Sequence, residues 1–494
     1  MLWLCLHLPD LALEVFTRGA SAADPLIVVY GRGGRKRRVA ICNAAARCRG
    51  IRPGMDLNAA YALVGALQVC ERDEESEHAA LDRLAAWAGQ FTSVVSPTPP
   101  QALLLEVAGS CRLFGGVDRL RGLVRQGLTE LGYRAFLAVA PTPLAASWLA
   151  HAGREACVSR QDALVAALAT LPLACLGPAV EQDRTLGGMG VRTIGDCLRL
   201  PRDGLARRMG PELVDTFDRA LGRVPDPRPA FAMPSVFTGN LPLPVATSTV
   251  EGLLFPLRRM LFELEGFLCA HDAGTCLLTL SLHHAAARTT RVELELVAPS
   301  RDTVYLVMLL RERLERTALS APVEEISLHV TDLHPLAPRN LDLFVPAQAV
   351  AEETLIERLR ARLGRDAVRG LDRVAEHRPE RAWIYVEPGC GTAIRNGSGR
   401  RPRQSACAER EAGGRKRPLW LLHEPVPLEV RDQCPYLDGM LALGRERERI
   451  ESGWWDGLDI ARDYFVARSR QGARFWVYRE LSGEHRWFLH GLFG

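Results

Sequence analysis

The sequence predicts an α+β multidomain protein with a β-rich C-terminal extension, and three observations carry that prediction. At 494 residues the chain is too long for one core, given roughly 150 residues per domain. Its first 345 residues alternate short apolar runs with helical periodicity, the pattern of sheets covered by helices. Six of its nine tryptophans fall after residue 380, where alternating segments broken by short polar turns read as strands.

The elements follow in order. Leu2 to Leu8 is an apolar run suited to a buried strand, followed by Pro9 and a short helix from Leu11 to Phe16. Strands at Leu26 to Tyr30 and Val39 to Cys42 flank a basic turn, and Ala-rich helices are split by Gly50 and by Pro53-Gly54. Next come a helix from Ser76 to Phe91, a strand from Ala102 to Val107, a helix from Val117 to Leu131, a strand from Ala135 to Ala140 and a helix from Leu144 to Ala152. Residues 166–225 read as short helices punctuated by glycine. Residues 249–345 read as helix (Val250 to Ala270), hairpin (Thr275 to His283, Thr290 to Leu296), helix (Arg301 to Leu319) and strand (Val323 to Thr331). Residues 387–417, rich in Gly, Ser and Arg, predict a flexible linker. Beyond it, Asp463 to Arg468, Arg474 to Glu480 and Arg486 to His490 predict a three-stranded meander.

Composition excludes several classes. Hydrophobic residues at 47% and charged residues at 24% match an ordinary soluble globular protein. No run approaches the roughly 18 apolar residues of a membrane span, and MLWLCLHLPD lacks the basic flank of a signal peptide, so a cytoplasmic location is expected. The thirteen cysteines form no CxxC pair and no zinc-finger spacing, which predicts reduced thiols and no metal. Net charge is only +4 and lysine occurs at Lys36 and Lys416 alone, so the placement of arginine, not its number, bears on nucleic acid.

Five phrases in fixed order carry a resemblance: "RVAICNAAARCRGIRPGM", "GSCRLFGG", "LAVAPTPLAASWLA", "LGGMGVRTIGDCLRLP" and the tail "RIESGWWDGLDIARDYFVARSRQGARFWVYRE". Together they resemble the Y-family (translesion) DNA polymerases, and with the tail the ImuB subgroup of that family. The resemblance implies a right hand: palm (1–28 and 71–165), fingers (29–70), a helical thumb with helix-hairpin-helix-like turns (166–230) and an α/β little finger (235–338). A clamp-binding peptide (339–345), a connecting region (346–386), the flexible linker (387–417) and a C-terminal partner-binding region (418–494) complete the expected division.

Active relatives transfer nucleotides with two Mg²⁺ held by carboxylates. The resemblance puts His7 at the first metal-binding Asp, followed by Leu8 and Pro9. The second acidic motif falls near Pro100, Gln101 and Ala102, and no Asp or Glu stands between Thr98 and Leu105. It also sets Ala44 and Arg47 at the Tyr and Arg that grip the triphosphate, Thr142-Pro143 at an Asn-Lys pair, and Leu11 or Ala12 at the residue that excludes ribose. The expected protein is therefore a non-catalytic adaptor with no metal cofactor. The alternative is a weakly active polymerase with relocated ligands, Asp10 and Glu106, and Mg²⁺ enters only there.

Binding chemistry remains. Turns at Gly177, Gly188 and Gly190 are either phosphate-holding helix-hairpin-helix turns or plain helix-terminal glycines. Arg47, Arg288 and Arg291 contact DNA phosphate or are solvated. Asn340, Leu341, Leu343 and Phe344 resemble the Gln-Leu-x-Leu-Phe peptide that docks bacterial polymerases on the β sliding clamp, with Asn340 for Gln; packing inside an interdomain strand is the other reading. The tail aromatics Trp454, Trp455, Tyr464, Trp476, Tyr478, Trp487 and Phe488 suit a small core. The resemblance implies that this tail meets the accessory protein ImuA and an error-prone DnaE-type polymerase. The expected role is binding damaged DNA and recruiting that polymerase in SOS-induced translesion synthesis and mutagenesis.

Overall fold

The computed structural model describes residues 1–19, 27–33, 36–176, 186, 188, 190–285, 288–336, 348–388 and 417–493. Two compact units divide the chain, Met1–Arg362 and Leu363–Gly494.

The first unit is organised by β1 (Trp3–His7), the apolar run at the chain's start. Helix α1 (Leu11–Thr17) follows, then a small lobe of β2 (Ile27–Gly33), β3 (Lys36–Cys42), α2 (Ala44–Cys48), α3 (Leu57–Leu63) and β4 (Gln68–Glu71). Its sheet order is β3-β2-β4. The chain returns through α4 (Glu74–Ala88), β5 (Val95–Thr98), β6 (Ala102–Glu106), α5 (Val117–Leu131), β7 (Phe136–Ala140) and α6 (Pro143–His151). Strand β1 lies antiparallel between β6 and β7 in the order β5-β6-β1-β7.

Period-two alternation gives this sheet two buried faces. Leu4, Leu6, Leu103, Leu105, Leu137 and Val139 join the core with α4 and α5. Trp3, Cys5, Leu104, Ala138 and Ala140 face the other way and share a core with α6 and with helices α7 (Leu164–Ala169), α8 (Ile194–Arg199), α9 (Arg202–Met209) and α10 (Pro211–Ala220). Burial on both faces explains why β1 and β6 read as continuous apolar runs.

The next subdomain contains β8 (Phe237–Thr247), α11 (Val250–Ala270), β9 (Ala273–His284), β10 (Arg288–Ser300), α12 (Thr303–Leu314), β11 (Val323–Val330) and β12 (His334–Pro335). Its strands run β10-β9-β11-β8, with β12 added to β9. Strand β8 is absent from the sequence-based reading because its Leu241-Pro242-Leu243-Pro244 stretch signals a breaker; as the last strand of the order it tolerates proline. Helix α12 ends at Leu314, short of the expected Leu319. Residues expected only as a connection form α13 (Gln348–Leu363), whose Glu357 accepts from the Val297 backbone N–H at 2.6 Å.

Helix α11 packs on two partners. One side joins the core of its own sheet through Leu257, Leu261 and Leu264. The other side meets α4 and α5, where Trp87 fits against glycine: a Cβ on Gly266 would lie 2.1 Å from the indole, and one on Gly127 2.3 Å from it. Beside this contact, buried Glu263 pairs with Arg18 and Arg83, each at 3.0 Å. Arg18 also donates to the Leu131 carbonyl at 2.8 Å and to the Tyr133 hydroxyl.

The second unit has a short hairpin, β13 (Gly370–Arg373) and β14 (Trp383–Val386). Its main sheet is β15 (Trp420–Arg431), β16 (Cys434–Tyr436), β17 (Ala442–Ser452), β18 (Ile460–Arg468), β19 (Arg474–Glu480) and β20 (Trp487–Leu492). The six strands run β16-β15-β20-β19-β18-β17, so the expected meander forms the middle of a larger sheet. Tyr464 stacks on Trp476 with centroids 4.1 Å apart and bonds His490 at 2.8 Å. Trp454 and Trp455 do not belong to this core, contrary to the expectation: they are 82% and 57% exposed. The expected linker lies outside the described residues over 389–416.

Glu263→Ala leaves Arg18 buried with its charge uncompensated and should cost about 3–5 kcal/mol, read as a lower denaturant midpoint of the first unit. Glu263→Gln, which keeps an acceptor, should recover part of the loss. A midpoint unchanged by Glu263→Ala would show that the pair does not hold these helices together.

Candidate functional site

The register of the first sheet fixes where the candidate centre lies. His7 ends β1, opposite Ala102 of β6 on one side and Phe136 of β7 on the other. The Leu8 N–H donates to the Gln101 carbonyl at 2.8 Å, which closes the same sheet end. His7, Pro9, Pro100, Gln101 and Ala102 thus gather where the resemblance expects acids, and none is a carboxylate.

His7 is buried and stacks on His151 of α6, with centroids 4.0 Å apart. Burial, and then the charge of His151, lowers its pKa to about 4, so the imidazole is neutral near neutrality. Its Nδ1 is buried with no hydrogen-bond partner. Mg²⁺ needs several oxygen ligands in near-octahedral geometry. One hindered imidazole, a proline, an amide and an alanine do not fit a pair of such ions.

The two acids considered as replacements lie apart. Glu106 pairs in register with Trp3 while Ala102 pairs with His7, so four residues of strand, about 13 Å, separate Glu106 from the His7 end. Glu106 is already used: its Oε1 accepts from the Leu2 and Ala108 N–H groups at 3.1 and 3.3 Å. Asp10 stays beside the His7 end, where it precedes α1 and pairs with Arg134 at 3.3 Å.

Asp10 opens on a cleft of about 430 Å³ between α1, α2 and α11. Asn43 caps α2, its side chain accepting from the Ala46 N–H at 2.9 Å, and this sets the pitch of the turn that carries Ala44 and Arg47. Arg47 is exposed and lines the cleft with Arg18, Arg134 and Arg259. Glu14 lies at the bottom, accepting from the Arg134 N–H at 2.7 Å. Burial pushes its pKa up to about 8 despite that bond. Sequence reading missed the basic wall, because Arg134 and Arg259 lie far from Arg47 along the chain.

Of the glycines expected to form phosphate-holding turns, Gly177 lies outside the described residues. Gly188 has open space at its Cβ position, and Gly190 has φ +76, the left-handed conformation glycine adopts freely. Thr193 then caps α8 with a capping box, and Asp196 Oδ2 accepts the Arg192 and Thr193 N–H groups at 3.1 and 3.0 Å. Those two donors already have an acceptor. Thr142, in the Asn-Lys position, caps α6 and donates to the Ala220 carbonyl at 2.6 Å.

Arg288 and Arg291 lie on β10, as expected, and both are exposed; Arg291 pairs with Glu293 at 2.9 Å. They flank a polar sheet face on which His283 bonds Ser327 at 2.8 Å and His329 bonds Thr238 at 3.2 Å. Asn340, Leu341, Leu343 and Phe344 lie outside the described residues.

Residues 20–151 match the family model described as the impB/mucB/samB family. Over 471 residues the chain is 28% identical to Protein ImuB from two strains of Caulobacter vibrioides, covering 90% of this chain and all of theirs. The chain is similar to ImuB along almost its whole length. Among solved structures, a Dbh ternary complex is 18% identical, covers 68% of this chain and 100% of its own, and gives a TM-score of 0.38. DinB from Sulfolobus solfataricus is 17% identical with the same coverage and a TM-score of 0.37. The described residues contain no helix long and apolar enough to cross a membrane.

The raised pKa of Glu14 sets a pH dependence. A carboxyl with a folded pKa near 8 and an ordinary value of 4.5 stabilises the fold fully below about pH 4.5 and loses that contribution as pH rises through 8. Relative to Glu14→Gln, the wild type should lose roughly 1–3 kcal/mol between about pH 5 and pH 9, measured by denaturation at each pH. Parallel curves would place Glu14 in water.

Proposed function

We propose that this chain is a non-catalytic, polymerase-like adaptor in translesion synthesis and mutagenesis. It binds damaged primer-template DNA, docks on the β sliding clamp and recruits an error-prone DnaE-type polymerase together with ImuA. One observation carries the reading: at the sheet end where the resemblance expects metal-binding acids stand His7, Pro100, Gln101 and Ala102.

DNA binding is supported by the cationic cleft of Arg47, Arg134 and Arg259 and by Arg288 and Arg291 on the little-finger hairpin. Such contacts hold the backbone without reading sequence and weaken with salt. Clamp docking rests on Asn340, Leu341, Leu343 and Phe344, whose apolar anchors suit a groove.

Partner recruitment is supported by the loop between β17 and β18. Buried Arg378 holds that loop, pairing with Asp456 Oδ2 at 2.7 Å and donating to the Leu458 carbonyl at 3.2 Å. Arg381 adds a second ion pair to Asp456 at 2.9 Å. The loop offers Trp454 and Trp455 to solvent, edge to face at 5.6 Å. Pre-ordered exposed tryptophans are common anchors of protein interfaces.

Primer extension with Mg²⁺ and dNTPs tests the catalytic part. No extension is expected; extension that disappears in Asp10→Ala would establish the alternative, a weakly active polymerase. In pull-downs, Leu343→Ala/Phe344→Ala should lose the clamp and keep the DnaE-type polymerase. Trp454→Ala/Trp455→Ala should do the opposite, each losing about tenfold or more in affinity. Loss of both partners in either variant would overturn the assignment of separate docking sites.

A further inference from the structure

The little finger assembles a donor cluster that cysteine spacing does not announce. Cys276, Asp332 and His334 each contribute one ligand atom, and these atoms lie within 4.8 Å of one another. The backbone explains the meeting. Strands β9 and β10 lose register between Glu295 and Ser300, and no residue of β10 pairs with Cys276. The Cys276 N–H donates instead to Asp332 Oδ2 at 3.1 Å, and the Thr275 hydroxyl donates to Asp332 Oδ1 at 2.9 Å. Pairing of β12 with β9, His334 opposite Gly274, then brings the imidazole Nε2 to 3.3 Å from Asp332 Oδ2.

We propose that Cys276, Asp332 and His334 form a three-donor site for a zinc-class divalent cation, with a fourth position open to water. A thiolate, an imidazole and a carboxylate match borderline-soft Zn²⁺ and are wrong for Mg²⁺, which takes oxygen. A tetrahedral ion at ordinary bond lengths spaces its ligand atoms about 3.3–3.8 Å apart, so small side-chain rotations close the trio on it. Asp332 is already oriented by hydrogen bonds, the support that ligating carboxylates require.

On binding, the Cys276 S–H bond breaks, an S–Zn bond forms and the proton passes to buffer. The dication then balances one thiolate and one carboxylate, leaving a neutral site. Occupation ties the crossing between β11 and β12 to β9, five residues ahead of Arg339 in sequence.

The test is calorimetric titration of the chelator-stripped full-length chain with Zn²⁺, in two buffers of different protonation enthalpy. The wild type should bind one ion that His334→Ala and Cys276→Ser each bind about 10–100-fold more weakly, with about one proton released per ion. Excess Mg²⁺ should not compete. Co²⁺ should give a thiolate charge-transfer band that Cys276→Ser abolishes. His334 is half exposed, so its alanine variant should keep the chelator-treated wild type's melting temperature, and it decides the matter if Cys276→Ser does not fold. No Zn²⁺ binding, or equal affinity and stoichiometry in wild type and His334→Ala, overturns the site.

Discussion

Helix α11 is the constraint on which the first unit depends, because it is buried on two sides at once. A surface helix shows one apolar stripe; α11 shows almost no polar one, since Leu257, Leu261 and Leu264 serve its own sheet while Gly266 and Glu263 meet the neighbouring helices. The large indole of Trp87 can lie between α5 and α11 only because Gly127 and Gly266 leave room for it. The single acid inside this contact, Glu263, would be costly alone; Arg18 and Arg83 neutralise it, and Arg18's other donors are satisfied by Leu131 and Tyr133. Geometry and charge therefore select one docking of α11 and its sheet on α4 and α5, where hydrophobic contact alone would accept several.

That rigid frame makes the chemistry at the end of β1 informative. Clustered carboxylates at a sheet end repel each other unless cations hold them. Here the row His7, Ala102 and Phe136 carries no such repulsion, and the neutral imidazole of His7 packs on His151 as a flat, mostly apolar group. The neighbouring cleft keeps the opposite bias, with Arg47, Arg134 and Arg259 around Asp10 and Glu14. The two neighbouring places thus differ in charge: the sheet end is neutral, and the cleft beside it is lined by four arginines, Arg18 among them.

Local pattern made much of this legible. The helices Val117–Leu131 and Val250–Ala270 match their expected bounds, since long periodic segments are the strongest signals a sequence carries. The absence of acids between Thr98 and Leu105 is equally plain in the sequence. What escaped depends on non-local or ambiguous signals. Strand β17 reads Arg-Glu-Arg-Glu-Arg on both faces, so alternation of apolar and polar residues is absent, and it is recognised only by pairing with β18. Helix α11 is readable as a helix, but not its second partner, which depends on a tryptophan far upstream. Cys276 and His334 belong to no metal motif because the distance between them along the chain is closed by β12 pairing back on β9.

Tryptophan placement in the second unit follows the same logic of local order supplied from elsewhere. Tyr464, Trp476 and Tyr478 are buried because alternate residues of β18 and β19 point to one side of the six-stranded sheet. Trp454 and Trp455 lie between strands and have no such face to enter. A free loop would let two indoles collapse onto any nearby apolar surface. The residues 376–381 oppose that: Arg378 and Arg381 both grip Asp456, the Arg378 guanidinium lies 5.7 Å from the Trp455 ring, and Gly453 at φ +94 makes the turn that brings Leu458 O back toward Arg378. Charge-assisted bonds from Arg378 and Arg381 thus hold the loop in a shape that leaves both rings in water.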